Sequence, residues 1–216
     1  MNLYDMLAGR QQYMSDSNKI VGIVVGLVTN NKDPANLGRV RVKFPWFSEQ
    51  DESQWARIAT LMGGKDRGSL FLPDVDDEVV VVFEHGDLRR PYVIGALWNG
   101  VDTPPKEFVN DGKNNLRLIK SRSGHLIKLD DTENGEKIEV IDKSGKNSIL
   151  IDAKDNTITI TSDKDIVLKA AQGKITLQSK EIELKSSAAT KIEAGGEMSL
   201  KASATMTVKG STVNIN

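Results

Sequence analysis

Pairs of aliphatic residues two positions apart recur along the last third of the chain. From residue 158 onward the pairs are mostly eight residues apart, which makes them an internal repeat. Residues at i and i+2 lie on the same face of a β-strand, and the residue between them faces the other way. The pairs assigned to one inward face comprise Ile158, Ile160, Ile166, Leu168, Ile175, Leu177, Ile182, Leu184, Ile192, Met198, Leu200, Met206 and Val208.

Small and polar residues separate successive pairs and predict corners. Gly173, Gly195, Gly196 and Gly210 are expected to supply backbone freedom at these bends. The corner segments read SDKD, AAQGK, QSKE, KSSAA, AGGE, KASAT and KGST. A less regular form of the same rhythm extends back through Leu116/Leu118, Ile127/Leu129, Ile138/Val140 and Ile149/Ile151.

An eight-residue unit is too short to enclose a core by itself. A single-chain β-solenoid uses about twenty residues per coil, whereas each octad supplies two inward side chains. Three chains wound together supply three pairs per layer, and strand edges then find partners on neighbouring chains. The repeat therefore predicts a homotrimer, an intertwined triangular β-helix (β-prism) without a stable monomeric form in this region.

The first half of the chain predicts a compact β-barrel. Five runs rich in β-branched residues are separated by turn clusters such as NNKDPANLG and HGDLRRP, which suggests a barrel of OB type. A sandwich or an SH3-like barrel has a similar strand count and stays open as an alternative. The five predicted strands are Ile20–Val28, Gly38–Phe44, Gln54–Ala59, Glu78–Phe83 and Tyr92–Leu97.

The chain is thus predicted to be all-β, apart from one short segment. Residues 1–17 form a short helical segment, 18–100 the barrel, 101–115 a linker rich in Pro, Asn, Asp and Gly, and 116–216 the prism. In the first segment an apolar face suited to docking would be built by Leu3, Met6, Leu7 and Tyr13.

Composition excludes several classes of function but does not select one. The 216 residues carry a formal net charge of −1, so no strongly basic balance points to nucleic acid. Cysteine is absent, which excludes disulfides and thiolate metal sites and fits folding in the bacterial cytoplasm. No stretch resembles a secretory signal or the ~20 apolar residues of a membrane-spanning helix.

Three motifs in order resemble one family. They are GRVRV, the sequence LPDVDDEVVVVFEHGDLRRPYVIGALWNG, and RSGHLIKLDDT at the entry to the repeats. Together they resemble the central spike proteins of contractile tails: phage baseplate assembly protein V, the C-terminal part of the phage T4 tail spike, and the matching part of VgrG proteins. The resemblance covers about residues 19–216 and implies an OB-fold collar joined to a membrane-piercing needle, assembled into a phage baseplate or injection particle.

Departures from the family refine this expectation. The chain holds neither a hub domain nor a lysozyme domain, so the resemblance implies no enzyme and a separate hub protein. His85 and His125 do not form the His-x-His motif of iron-binding spike tips, so no metal or cofactor is expected, although ions on the axis stay possible. A conical PAAR-type protein would bind the end of the prism, at Val213, Asn214, Ile215 and Asn216.

Two acidic residues at the entry to the repeats are candidates for chemistry. Asp130 and Asp131 are neighbours, and adjacent residues on a strand point to opposite faces, so a turn role is expected in place of acid–base catalysis. His85 is expected in a hairpin loop, and Arg89 and Arg90 are either solvated or at an interface.

Two rival functions stay open. An OB barrel with Trp46, Phe47 and Trp55 on its surface would be able to bind single-stranded nucleic acid or carbohydrate. A trimeric fibre that binds a cell-surface receptor would also carry a β-prism.

Leu184→Asp tests the inward face. The change would place three carboxylates near one axis without partners, so we expect trimers to be lost. Mass measurement by light scattering checks this result. Trimers like those of the wild type would refute the inward assignment.

Overall fold

A computed structural model describes residues 19–48 and 50–215, and these residues confirm the predicted all-β class. They contain no α-helix, and the predicted helical segment 1–17 lies outside them. The chain divides into two units, one ending at residue 163 and one beginning at residue 164. The strands are β1 Ile23–Asn30, β2 Arg41–Lys43, β3 Arg57–Ile58, β4 Gly63–Gly64, β5 Arg67–Gly68, β6 Glu78–Phe83, β7 Pro91–Ala96, β8 Leu116–Lys120, β9 Leu126–Asp130, β10 Lys137–Ile141, β11 Ser148–Asp152 and β12 Thr157–Thr161.

The first five-stranded sheet curls into a barrel. Its strand order is β2-β1-β6-β7-β3, with β3 parallel to β7 and the other pairs antiparallel. The two outer strands meet where Val40 and Ala56 exchange backbone hydrogen bonds of 3.1 and 2.7 Å. This arrangement is that of an OB fold, so the predicted OB fold is confirmed. All five predicted strands overlap the observed ones, whereas the glycine-rich hairpin β4–β5 has no apolar alternation and was not predicted.

Valines fill the barrel. Along β6, Val79, Val81 and Phe83 are buried while the residues between them are partly exposed, as the two-residue period of a strand requires. They pack with Val28 and Val93 and the other core residues, which are Val40, Val42, Phe44 and Ala56. Removing these side chains from water is the main force that stabilises the barrel.

Gly26 lets β1 and β2 approach closely inside this barrel. A Cβ at this position would overlap the Val42 side chain and would lie 2.8 Å from the Lys43 carbonyl oxygen. Real Cβ atoms essentially never approach so closely, and a backbone oxygen cannot move aside as a flexible side chain would. The strand pairing therefore depends on the absence of a side chain.

The loop between β1 and β2 is organised by one carboxylate. Asp33 accepts hydrogen bonds from the backbone N–H groups of Ala35 and Leu37, both at 3.0 Å, and from two guanidinium nitrogens of Arg39, both at 2.8 Å. Its side chain is only 3% exposed. The hydrogen bonds from Arg39, followed by those from the backbone, hold the pKa of Asp33 well below its usual range.

A second five-stranded sheet, β8 to β12, is an antiparallel meander in chain order. Its four connections each contain a residue with positive φ, and each such residue is glycine or asparagine, the types that tolerate this conformation. These residues are Gly124, Asn134, Gly145 and Asn156.

Aspartates close three of these connections. Asp130 accepts hydrogen bonds from the Thr132 backbone and hydroxyl, Asp142 from the Ser144 hydroxyl, and Asp152 from the Asp155 N–H. These same bonds are the largest cause of the lowered pKa of each carboxylate. Asp130 therefore stabilises a turn, as predicted.

The second unit follows the octad rhythm. The backbone bends at residues 163–164, 171–173, 180, 187–188, 195–196, 203–204 and 211, so successive bends are about eight residues apart. Every bend falls inside one of the seven predicted corner segments. None of the four glycines of these segments has positive φ, however, so the bends do not need glycine for that conformation. Residues 164–215 form no strand pair with one another or with other described residues.

Gly26→Ala should destabilise the barrel by roughly 1–3 kcal/mol, because the added methyl group overpacks the contact with β2. Urea unfolding of the full chain, followed by tryptophan fluorescence, measures this change, since Trp46, Trp55 and Trp98 all lie in this half of the sequence. Gly95→Ala is the control, because a Cβ at Gly95 meets nothing within 4 Å. Equal effects of the two substitutions would contradict the packing argument.

The barrel should lose stability in acid through Asp33. Because the pKa of Asp33 is lowered in the folded chain, its contribution is complete above its unfolded value near 3.8 and is lost as pH falls below that value. We expect the urea midpoint to fall less between pH 6 and pH 3 in Asp33→Asn than in the wild type. Asp51→Asn, at an exposed position in another loop, is the matched control. An unchanged acid response in Asp33→Asn would count against this role.

Candidate assembly surface

One face of the β8–β12 sheet is covered with exposed aliphatic side chains, and we call it the aliphatic face. Strand pairing aligns these side chains in two columns that run across the strands. Their exposed fractions range from 40% for Ile151 to 71% for Ile158. The first column contains Leu129, Ile138, Ile151 and Ile158, and the second contains Ile119, Ile127, Val140, Ile149 and Ile160.

The opposite face of this sheet mixes charged residues with Leu126, Ile141 and Leu150, and its side chains are better covered. Lys128 forms ion pairs with Glu139 and with Asp130, and Lys137 pairs with Asp152 at 3.6 Å. These five side chains are only 11–39% exposed. A sheet that hides charged side chains and exposes aliphatic ones is the reverse of the usual soluble surface, so the aliphatic face is a candidate interface.

The register of β8 corrects one part of the predicted pattern. Leu116 and Leu118 lie opposite Asp130 and Lys128, on the charged face, and it is Ile119 that continues the aliphatic column. In the strand LRLIK both alternating sets contain apolar residues, so the two-residue period alone does not choose the face. Arg117 takes the remaining place on the aliphatic face and pairs with Asp131 at 2.9 Å.

The aliphatic pairs of the second unit are exposed as well. From Ile166 to Val208, the predicted inward residues are between 47% exposed, at Met198, and 75% exposed, at Leu184. No strand pairing within the described residues satisfies the backbone along this stretch. Residues 166–215 therefore expose their aliphatic side chains and form no strand pair inside the described part of the chain.

The structure describes only some of the residues predicted to dock on a hub or a tip protein. Leu3, Met6, Leu7 and Tyr13 lie outside the described residues, as does Asn216. At the other end, Val213 is 48% exposed and Ile215 is 90% exposed. Both are free to contact another molecule.

Neither histidine belongs to a group of ligands. His85 lies in a 3₁₀ turn between β6 and β7, in the predicted loop, and the His125 Nδ1 accepts a hydrogen bond of 3.2 Å from the Lys143 N–H. Across residues 19–48 and 50–215, no three His, Asp or Glu side chains are grouped in a way that would hold a metal ion. The same residues include no helix long and apolar enough to cross a membrane.

The barrel carries a groove of about 660 Å³ lined by arginines and aromatic rings, and we call it the arginine groove. The guanidinium of Arg39 lies 5.9 Å from the centre of the Trp55 ring, and that of Arg57 lies 5.5 Å from the centre of the Tyr92 ring. Its other charged lining residues are Arg89, Arg90 and Glu84. Trp46 and Phe47 pack against each other and do not line the groove, so the three aromatic residues suggested for nucleic-acid binding are not brought together.

Carboxylates of the same chain neutralise most of this groove. Asp33 pairs with Arg39, and Glu84 lies 3.4 Å from Arg90 and accepts a hydrogen bond from the Tyr92 hydroxyl, which lowers the Glu84 pKa. Hydrogen bonds from Arg89 lower the pKa of Asp87 to about 2. Of the four arginines that line the groove, Arg57 alone has no carboxylate partner among the described residues.

Known proteins are similar to this chain in sequence. A family model described as the type VI secretion system/phage-baseplate injector OB domain matches residues 24–98. The type VI secretion system spike protein VgrG1b of Pseudomonas aeruginosa is 32% identical over 124 residues, which are 55% of this chain and 16% of that protein. The spike protein VgrG3 of Vibrio cholerae is 28% identical over 142 residues, or 63% of this chain and 13% of that protein.

The actin cross-linking toxin VgrG1 of Vibrio cholerae is also similar, at 26% identity over 121 residues that make up 54% of this chain and 10% of the toxin. This chain therefore spans less than a fifth of the length of these relatives. The resemblance predicted from the motifs is confirmed: residues 24–98 match the injector OB-domain model, and the chain is similar to VgrG spike proteins over about half its length.

Proposed function

We propose that this chain is the homotrimeric central spike of a contractile injection machine or phage tail baseplate. The observation that carries the proposal is the aliphatic face of β8–β12 together with the exposed aliphatic pairs of the second unit. Relatives named as type VI spike proteins support the same role.

Three copies meet the physical requirements of both units. Around a threefold axis, the aliphatic face of each copy is covered by the other two, and burying aliphatic surface contributes roughly 25 cal/mol per Å². Along residues 166–215, where the described residues form no strand pair, the backbone would hydrogen-bond to neighbouring chains, as buried backbone groups require. Charged and hydroxyl side chains then remain on the outside, where water solvates them.

The role of such a spike is mechanical and involves no catalysis by this chain. Contraction of a sheath drives a tube forward, and the prism at its front concentrates the force on a narrow point. A structure held by hydrogen bonds between three chains resists unfolding under this load. The barrels form a collar that joins the prism to the hub, and no ion or cofactor is needed for this function.

Two further partners complete the proposed assembly. Leu3, Met6, Leu7 and Tyr13 would dock on a trimeric hub protein. Val213, Asn214, Ile215 and Asn216 would seat a PAAR-type tip protein, since Val213 and Ile215 leave apolar surface exposed. The chain would be made in the bacterial cytoplasm and assembled into the particle there.

The oligomeric state tests this proposal through two substitutions on one strand. Ile158 lies on the aliphatic face of β12, and Thr159 points to the opposite face. We expect the full chain to have three times its 23.7 kDa mass in solution. Ile158→Asp should abolish or strongly weaken the trimer because it buries charge, whereas Thr159→Asp should leave the trimer intact.

Light scattering at micromolar concentration, coupled to size-exclusion chromatography, checks these expectations. A folded wild-type monomer would overturn the proposal. Equal loss of trimers in the two variants would show that the aliphatic face has no special role.

A further inference from the structure

The two ends of strands β6 and β7 carry opposite charge. Phe83, at the end of β6, and Pro91, at the start of β7, adjoin the arginine groove. The other ends of the same strands, at Glu78 and Ala96, adjoin a second cavity of about 500 Å³, which we call the acidic pocket. Its lining residues are Asp77, Glu78, Ala96, Leu97, Trp98, Val101, Asp102 and Thr103.

The acidic pocket combines carboxylates with exposed apolar side chains. Asp77, Glu78 and Asp102 line it, and no described basic residue lines it. Trp98 is 69% exposed and Val101 is 89% exposed. Carboxylates gathered around exposed tryptophan and valine fit a partner surface that supplies cations and an apolar contact.

The arginine groove offers a surface of that kind. Arg57 is exposed, stacks on Tyr92 and forms no ion pair with a described carboxylate. The side chain of Arg89 is 83% exposed and that of Arg90 is 62% exposed, so each guanidinium keeps donors available beyond its carboxylate within the chain. Arginine, tryptophan and tyrosine are also the residues enriched where protein interfaces gain most of their affinity.

One copy cannot bring these two surfaces together. They lie at opposite ends of a six-residue strand, which spans roughly 16 Å, and the strand is held rigid in the barrel. A contact between groove and pocket therefore joins different copies, head to tail. Such heterologous contacts close into a ring when the rotation between copies is a simple fraction of a turn, and a threefold ring uses each groove and each pocket once.

We propose that the arginine groove of each barrel receives the acidic pocket of a neighbouring copy, so that the collar is a closed ring of three head-to-tail contacts. This inference rests on the proposed trimer and adds the contact that orients its barrels. Arg57, Arg89 and Arg90 face Asp77, Glu78 and Asp102 across the contact, and Trp98 lies against the apolar lining of the groove. Each chain carries both the arginine groove and the acidic pocket and is nearly neutral, so no net charge repulsion between copies opposes the ring.

Cross-linking tests the ring directly, because the chain contains no cysteine. Arg57→Cys and Asp102→Cys are made singly and together in the full chain and treated with the shortest available bismaleimide. We expect the double variant to yield covalent dimers and trimers on denaturing gels, and each single variant to remain monomeric there. Co-expressed single variants should yield only dimers that pair the two kinds of chain.

A second pair, Arg89→Cys with Asp102→Cys, repeats the test if Arg57→Cys fails to fold. Native mass of every variant is measured in parallel. Intact trimers without covalent dimers in either pair would overturn the ring and leave the proposed spike standing. Efficient linking of one single variant to itself would also overturn it, since like residues would then meet. A monomeric wild-type protein would instead contradict the proposed function as well as the ring.

Discussion

Aliphatic side chains that the other described residues leave exposed dominate this protein. The nine aliphatic residues of the β8–β12 face and the pairs beyond residue 164 are exposed to water in the single chain. Exposing this much apolar surface costs free energy that no interaction within the described chain offsets. In the proposed trimer, the two further copies would cover this surface.

The barrel solves the same problem within one chain. Its five strands close through the Val40–Ala56 contact, so the inward valines face one another and need no second molecule. Closure depends on local details such as Gly26, where a close approach of two strands leaves no room for a side chain. The chain thus couples a domain with its own core to a region whose aliphatic side chains are exposed. In the proposed spike, the first would be the collar and the second the needle.

Turn chemistry sets the geometry of the aliphatic face. In the second sheet, Gly124, Asn134, Gly145 and Asn156 reverse the chain after each five-residue strand. Asp130, Asp142 and Asp152 accept hydrogen bonds from the turns and keep successive strands in register. Register matters because a slip of one residue would turn each aliphatic side chain toward the charged face. Residues outside the aliphatic face therefore decide which side chains that face presents.

Local periodicity and turn composition were enough to predict the all-β class, the five barrel strands, the seven corners and the aliphatic pairs. They left the OB barrel, the sandwich and the SH3-like barrel as alternatives, and the strand order and closure of the sheet chose the OB barrel. Where the pattern of apolar residues is ambiguous, only strand pairing in the folded chain decided which face each residue occupies. In β8, apolar residues occur in both alternating sets, and pairing with β9 placed Ile119, not Leu116 or Leu118, on the aliphatic face. The arginine groove was also beyond sequence reasoning, since Arg39, Arg57 and Arg90 come from distant segments that only barrel closure brings together. Periodicity describes which side of its own strand a residue occupies, whereas a groove depends on which strands become neighbours.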